Sequence, residues 1–113
     1  MSEDALLRQR DAVRAHALDV RAALPGTPTE AWGRFEGCDS AFNDVYRTFR
    51  YLARLRYAEV PDPLDVPEAP GLTTETWAPP AGGLLVTVHG PSVELPRAVR
   101  AEWTRRGSSE PLD

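Results

Sequence analysis

From Tyr46 to Tyr57 the chain reads Tyr-Arg-Thr-Phe-Arg-Tyr-Leu-Ala-Arg-Leu-Arg-Tyr, and what this segment becomes decides the architecture. As a helix over 40–58, Phe42, Val45, Tyr46, Phe49, Leu52, Ala53 and Arg56 share one face, with Asn43, Asp44, Arg47, Arg50 and Arg54 opposite. As a strand, Phe49, Tyr51, Ala53, Leu55 and Tyr57 line one face and Thr48, Arg50, Leu52, Arg54 and Arg56 the other, with Leu52 the one exception to the alternation. Both templates fit. Downstream need breaks the tie. Residues 72–77 and 84–89 read as two strands joined across Ala78-Pro79-Pro80-Ala81-Gly82-Gly83, and an isolated two-stranded ribbon is marginal in water. A third strand over 46–58 is therefore expected, bent or bulged because it exceeds the usual strand length.

The N-terminal part has a clearer period. Leu6, Val13, Ala17, Val20 and Leu24 fall on one stripe and predict a helix over 3–24. Ser2 can cap it, Glu3 and Asp4 suit the positive end of the helix dipole, and Pro25-Gly26 ends it. His16 falls on the flank of the stripe, the place of a boundary histidine. Thr27-Pro28-Thr29-Glu30 has capping-box spacing, so a short helical turn carrying Trp32 and Phe35 is expected before Gly37, with a strand as the alternative. Near the C-terminus, Pro96 and Gly107 bracket Leu95, Val99 and Trp103 at helical spacing, which predicts a second helix.

These elements add up to an α+β fold: a single domain over 1–107, with an N-terminal helix and a short C-terminal helix packed on a three- or four-stranded antiparallel sheet. Residues 108–113 are expected to fray. At 113 residues and 42% apolar, the chain has room for one lean core.

Several classes are excluded or disfavoured by composition. No apolar run is longer than that of Leu84-Leu85-Val86, far short of the roughly 20 residues of a membrane-spanning helix. Met1-Ser2-Glu3-Asp4 is acidic where a signal peptide would be basic, so a cytoplasmic protein is expected. A single cysteine, Cys38, allows no intrachain disulfide. All thirteen basic residues are arginine and isoleucine is absent, the composition that GC-rich bacterial codons produce. A net charge of −4 disfavours a dedicated nucleic-acid binder.

Three groups of residues could carry function. Residues 59–96 hold six acids and no base, and four of the acids open successive triplets: Glu59-Val60-Pro61, Asp62-Pro63-Leu64, Asp65-Val66-Pro67 and Glu68-Ala69-Pro70. In a polyproline II helix of three residues per turn, Glu59, Asp62, Asp65 and Glu68 would stack along one edge about 9 Å apart. Residues 59–70 then form an acidic strut that docks on a basic or aromatic-lined partner, or a connector whose acids face Arg50, Arg54 and Arg56. The second group is the arginine and aromatic segment 46–57. Arginines clamp phosphates and rings stack on bases in single-strand binding, yet strand geometry sends the rings of this segment to one face and most arginines to the other. Arg50 and Arg54 lie on the polar face in either the helix or the strand reading. The third is Cys38, which with His89 could make a thiolate nucleophile. With one Cys and two His, the chain has no metal-ligand spacing, and no cofactor-binding motif occurs.

The run from Trp32 to Gly37-Cys38-Asp39-Ser40, followed by Phe49-Arg50-Tyr51, resembles small uncharacterised proteins of actinobacteria, several of them lipid-anchored. The present chain lacks their lipobox cysteine and a second cysteine to pair with Cys38. The resemblance implies a small α+β domain and no particular activity. The expectation is a non-enzymatic protein that binds a protein partner, of immunity or antitoxin type, through Arg50, Arg54 and Arg56 or through Glu59, Asp62, Asp65 and Glu68. The alternatives are a small enzyme using Cys38 and a single-stranded nucleic-acid binder.

Overall fold

A computed structural model describes residues 2–38, 46–96, 99, 102–103 and 107–112. Helix α1 spans Ser2–Ala23. Six strands follow: β1 Glu30–Cys38, β2 Tyr46–Tyr57, β3 Thr73–Trp77, β4 Leu84–His89, β5 Val93–Pro96 and β6 Glu110–Pro111. They form one antiparallel sheet in the order β3-β4-β2-β1-β6, with β5 also paired to β2.

The helix forms where its apolar stripe predicts. Leu6, Val13, Ala17 and Val20 are fully buried and Leu24 nearly so, each large side chain stabilising the fold by about 1.5–3 kcal/mol. Leu24 N–H still bonds to the Val20 carbonyl, and Gly26, at φ 88°, turns the chain out of the helix. His16 lies deeper than a boundary position: it is 7% exposed, with Nε2 3.3 Å from Thr74 Oγ1.

Strand β2 is the centre of the sheet. Its Phe49, Tyr51, Ala53, Leu55 and Tyr57 are all buried, under α1, together with Leu84, Val86 and Val88 of β4. The ring-bearing side of the segment therefore faces the core, as strand alternation demands. β2 itself is not bulged; the irregularity lies on its neighbour. Leu52 pairs with His89 and Phe49 with Val93, so β2 advances three residues while the line from β4 to β5 advances four. The extra residue sits at Gly90-Pro91-Ser92, a bulge that breaks the ladder. Gln9 of α1 fills the break: Tyr51 N–H donates to its Oε1 (2.6 Å) and its Nε2 donates to the Pro91 carbonyl (2.7 Å).

Three expectations are corrected. The helical turn at 27–36 is instead strand β1, because Ala31, Gly33 and Phe35 alternate with Trp32, Arg34 and Glu36, and nine residues of β1 pair in unbroken register with β2. Trp32 and Phe35 thus point to opposite faces. The sheet has six strands rather than three or four. The C-terminal helix is not borne out: Pro96, expected at its first helical position, and Leu95, the first residue of its apolar stripe, belong to β5, paired with the start of β2. Val99, Glu102 and Trp103 are described, and the rest of 97–106 lies outside the described residues.

The tail expected to fray contains β6 and the buried Leu112. Leu112 N–H bonds to the Ala31 carbonyl, Arg14 Nη2 donates to the Pro111 carbonyl (2.8 Å), and Arg10 Nη2 meets Glu110 Oε2 at 2.8 Å. These bonds from α1 and β1 offset the ordering entropy of the last residues.

Candidate functional site

With α1 on one side of the sheet, strand alternation leaves the other side as an open face, and the registers define what lies on it. Trp32, Arg54, Thr87 and Glu75 form one row across β1, β2, β4 and β3; Arg34, Leu52, His89 and Thr73 form the next. Glu30, Arg56, Leu85 and Trp77 form a third row, and Glu36 stands opposite Arg50. No described element covers this face.

The centre is an arginine–tryptophan–arginine cluster. The Trp32 ring has the Arg34 guanidinium carbon 5.2 Å from its centroid and that of Arg54 at 5.5 Å, within the range of cation–π attraction. Arg54 Nε also reaches Thr87 Oγ1 at 3.4 Å. Leu52, the exception in the alternation, is 4% exposed although it belongs to this face: Arg34 and His89 flank it and Arg50 and Arg54 precede and follow it, so long neighbours cover it. Arg34 Nε is buried without a hydrogen-bond partner among the described residues.

Arg50 is engaged differently. Its Nε lies 3.5 Å from Glu36 Oε2, and its Nη1 lies 3.4 Å from His89 Nδ1, which is also 3.1 Å from the Gly90 carbonyl. A neutral His89 can satisfy only one of these at a time, since Nδ1 accepts from Arg50 or donates to Gly90. Arg56 is exposed. The structure thus places Arg50, Arg54 and Arg56 on one surface, as the strand reading expects. The segment's own rings do face away from them, but the sequence reading missed that Trp32 from β1 and Trp77 from β3 put rings back on the arginine side. The alternation of Trp32, Arg34 and Glu36 against Ala31, Gly33 and Phe35 carried that signal.

Glu59, Asp62, Asp65 and Glu68 are all exposed, and no ion pair joins them to an arginine among the described residues. The segment is not one straight polyproline II helix, because the backbone bends at 62–63, where the Asp62–Pro63 peptide is cis. Pro61 is buried and Val66 packs on the core, so the segment lies along the domain. It does so on the helix side: Leu64, Val66 and Glu68 line a shallow groove with Thr74 and Thr76, the β3 residues that share the side of Val88 and Val86. The connector reading in which these acids face Arg50, Arg54 and Arg56 is therefore corrected. These four acids and the three arginines occupy opposite sides of the sheet.

Cys38 and His89 are not brought together. Cys38 pairs with Thr48 on one edge of β2 and His89 with Leu52 on the other, four residues and about 13 Å apart along the strand before the width of two strand spacings is added. Among the described residues no group of three or more His, Cys, Asp or Glu could hold a metal ion, and no helix is long and apolar enough to cross a membrane. Comparison of the chain with protein-family models, curated proteins and solved structures finds no match.

Proposed function

We propose that the protein is a non-enzymatic binding module that recognises an acidic protein partner on its open sheet face. The observation that carries this reading is the Arg34–Trp32–Arg54 cluster: two guanidiniums held on one indole, neither with a carboxylate partner among the described residues, on a face that nothing described covers. Tryptophan and arginine are the side chains that most often dominate protein interfaces, since both bury large areas while keeping hydrogen-bonding capacity. Arg56 extends the basic surface toward the exposed Trp77.

The test is affinity capture with the wild type and with the Arg54→Glu/Arg56→Glu variant, followed by reconstitution from purified components. A partner whose binding is retained by the wild type and lost in the variant supports the reading. Equal binding by both overturns it.

A second reading, single-stranded nucleic-acid binding, is favoured by the same cluster, because Trp32 and Trp77 can stack on bases beside phosphate-binding arginines. It expects retention of an oligo-dT at low salt that weakens steeply as salt rises. No retention at low salt removes it.

A further inference from the structure

The chain carries a group of arginines and an acidic segment that it does not use on each other. On the open face, Arg34, Arg54 and Arg56 have no carboxylate partner among the described residues; on the helix side, Glu59, Asp62, Asp65 and Glu68 are exposed and have no basic partner there. Pro61 and Val66 anchor the acidic segment against the domain, so it cannot swing round to the arginines of its own copy. The two surfaces also match in chemistry. Proline-rich segments dock on aromatic surfaces because they lose little conformational entropy on binding. Here the aromatic is Trp32, with the exposed Trp77 on the same face.

Building on the reading of the open face as a binding surface, we infer that its occupant is a second copy of this chain: the Glu59–Glu68 segment of one copy docks on the Arg34–Trp32–Arg54 face of the next. The open face also bears Glu30, Glu36, Glu75 and Glu94; Glu36 is offset by Arg50 and Glu94 stands opposite Thr48 at the far end of β2, so contact centres on Arg34, Arg54 and Arg56. Because the two surfaces lie on opposite sides of one sheet, the contact is head-to-tail and does not close into a symmetric dimer. Each added copy presents a fresh face and a fresh segment.

The experiment is weight-average mass against concentration, by light scattering and sedimentation, for the full chain. The wild type is expected to grow past a dimer at about 20 mM salt and to weaken in association about tenfold or more at about 500 mM, where screening shortens the reach of charge. Arg54→Glu/Arg56→Glu and Glu59→Arg/Asp62→Arg are each expected to remain monomeric, with wild-type circular dichroism, since Arg56, Glu59 and Asp62 are exposed and Arg54 is half-exposed on the open face. An equal mixture of the two variants recovers association, because each supplies what the other lacks. A monomeric wild type at low salt, association that neither variant weakens, or a mixture that stays monomeric overturns the inference. If the wild type is monomeric yet still binds a purified partner or an oligo-dT through Arg54, self-docking falls while the open face stands as a binding surface; if neither is bound, both fall.

Discussion

The side chain of Gln9 replaces a rung of the sheet at Tyr51: its Oε1 accepts the Tyr51 N–H at 2.6 Å, while its Nε2 donates to the Pro91 carbonyl at 2.7 Å. One carboxamide therefore bridges two strands at the bulge with the donor and acceptor of a peptide group. Gly90 makes room for it, since a Cβ at Gly90 would collide with the Gln9 side chain.

Gln9→Leu should leave the buried Tyr51 N–H unpaired, at about 1–3 kcal/mol, while the carbonyl of the exposed Pro91 turns to water. Gly90→Ala should destabilise through the clash alone. In urea unfolding, Gln9→Ala/Gly90→Ala should cost less than the sum of the two single changes, because removing the amide frees the space the new methyl needs. Additive losses would show that the two residues do not share the site.

The tryptophans should separate sharply. Trp103 is 1% exposed, donates Nε1–H to Glu3 Oε1 at 2.8 Å and stacks edge-on against Phe35 with centroids 4.8 Å apart. Trp103→Ala should destabilise by about 3–5 kcal/mol. Trp77 is 58% exposed, and Trp77→Ala should change stability by no more than about 0.5 kcal/mol. The unfolding midpoint of each variant decides, and a large loss for Trp77→Ala would mean its ring is packed.

Tyr57 predicts an alkaline limit. Burial pushes its phenol above the ordinary value of 10.0, with the nearby charge of Arg21 opposing the shift, and its hydroxyl has no hydrogen-bond partner among the described residues. The unfolded chain then loses this proton first as pH rises, so the unfolded state binds fewer protons. The contribution to stability is full below about 10 and is lost between there and the raised folded value. Tyr57→Phe should flatten that part of the stability profile and lie within about 1 kcal/mol of wild type at neutral pH, since it deletes an unpaired polar group. An unchanged alkaline slope in the variant would count against this origin.

The C-terminal strand should depend on Arg14, whose Nη1 donates to the Tyr51 hydroxyl at 3.1 Å and whose Nη2 donates to the Pro111 carbonyl. Arg14→Ala should speed amide exchange at Leu112, the residue bonded to Ala31, by about tenfold or more, while leaving β2 amides near wild type. Uniform acceleration across the sheet would point to global destabilisation instead.

What the sequence determined by itself is whatever depends on period along one segment. The stripe from Leu6 to Leu24 set the helix and its buried side, and the alternation from Phe49 to Tyr57 sorted rings inward from Arg50, Arg54 and Arg56. The strands at 72–77 and 84–89 were legible for the same reason. Tertiary structure alone decided the rest, because it depends on which distant segments pair. Capping signals at Thr27–Glu30 favoured a helix locally, but nine paired residues along β2 outweigh one helical turn. Likewise Leu95 lies in a strand because the start of β2 offers it a hydrogen-bonded edge. The meeting of Trp32 with Arg34 and Arg54, the separation of the acids from the arginines, and Gln9 seated in the bulge all follow from inter-strand register. Register is fixed by non-local hydrogen bonds and packing, and no local period records it.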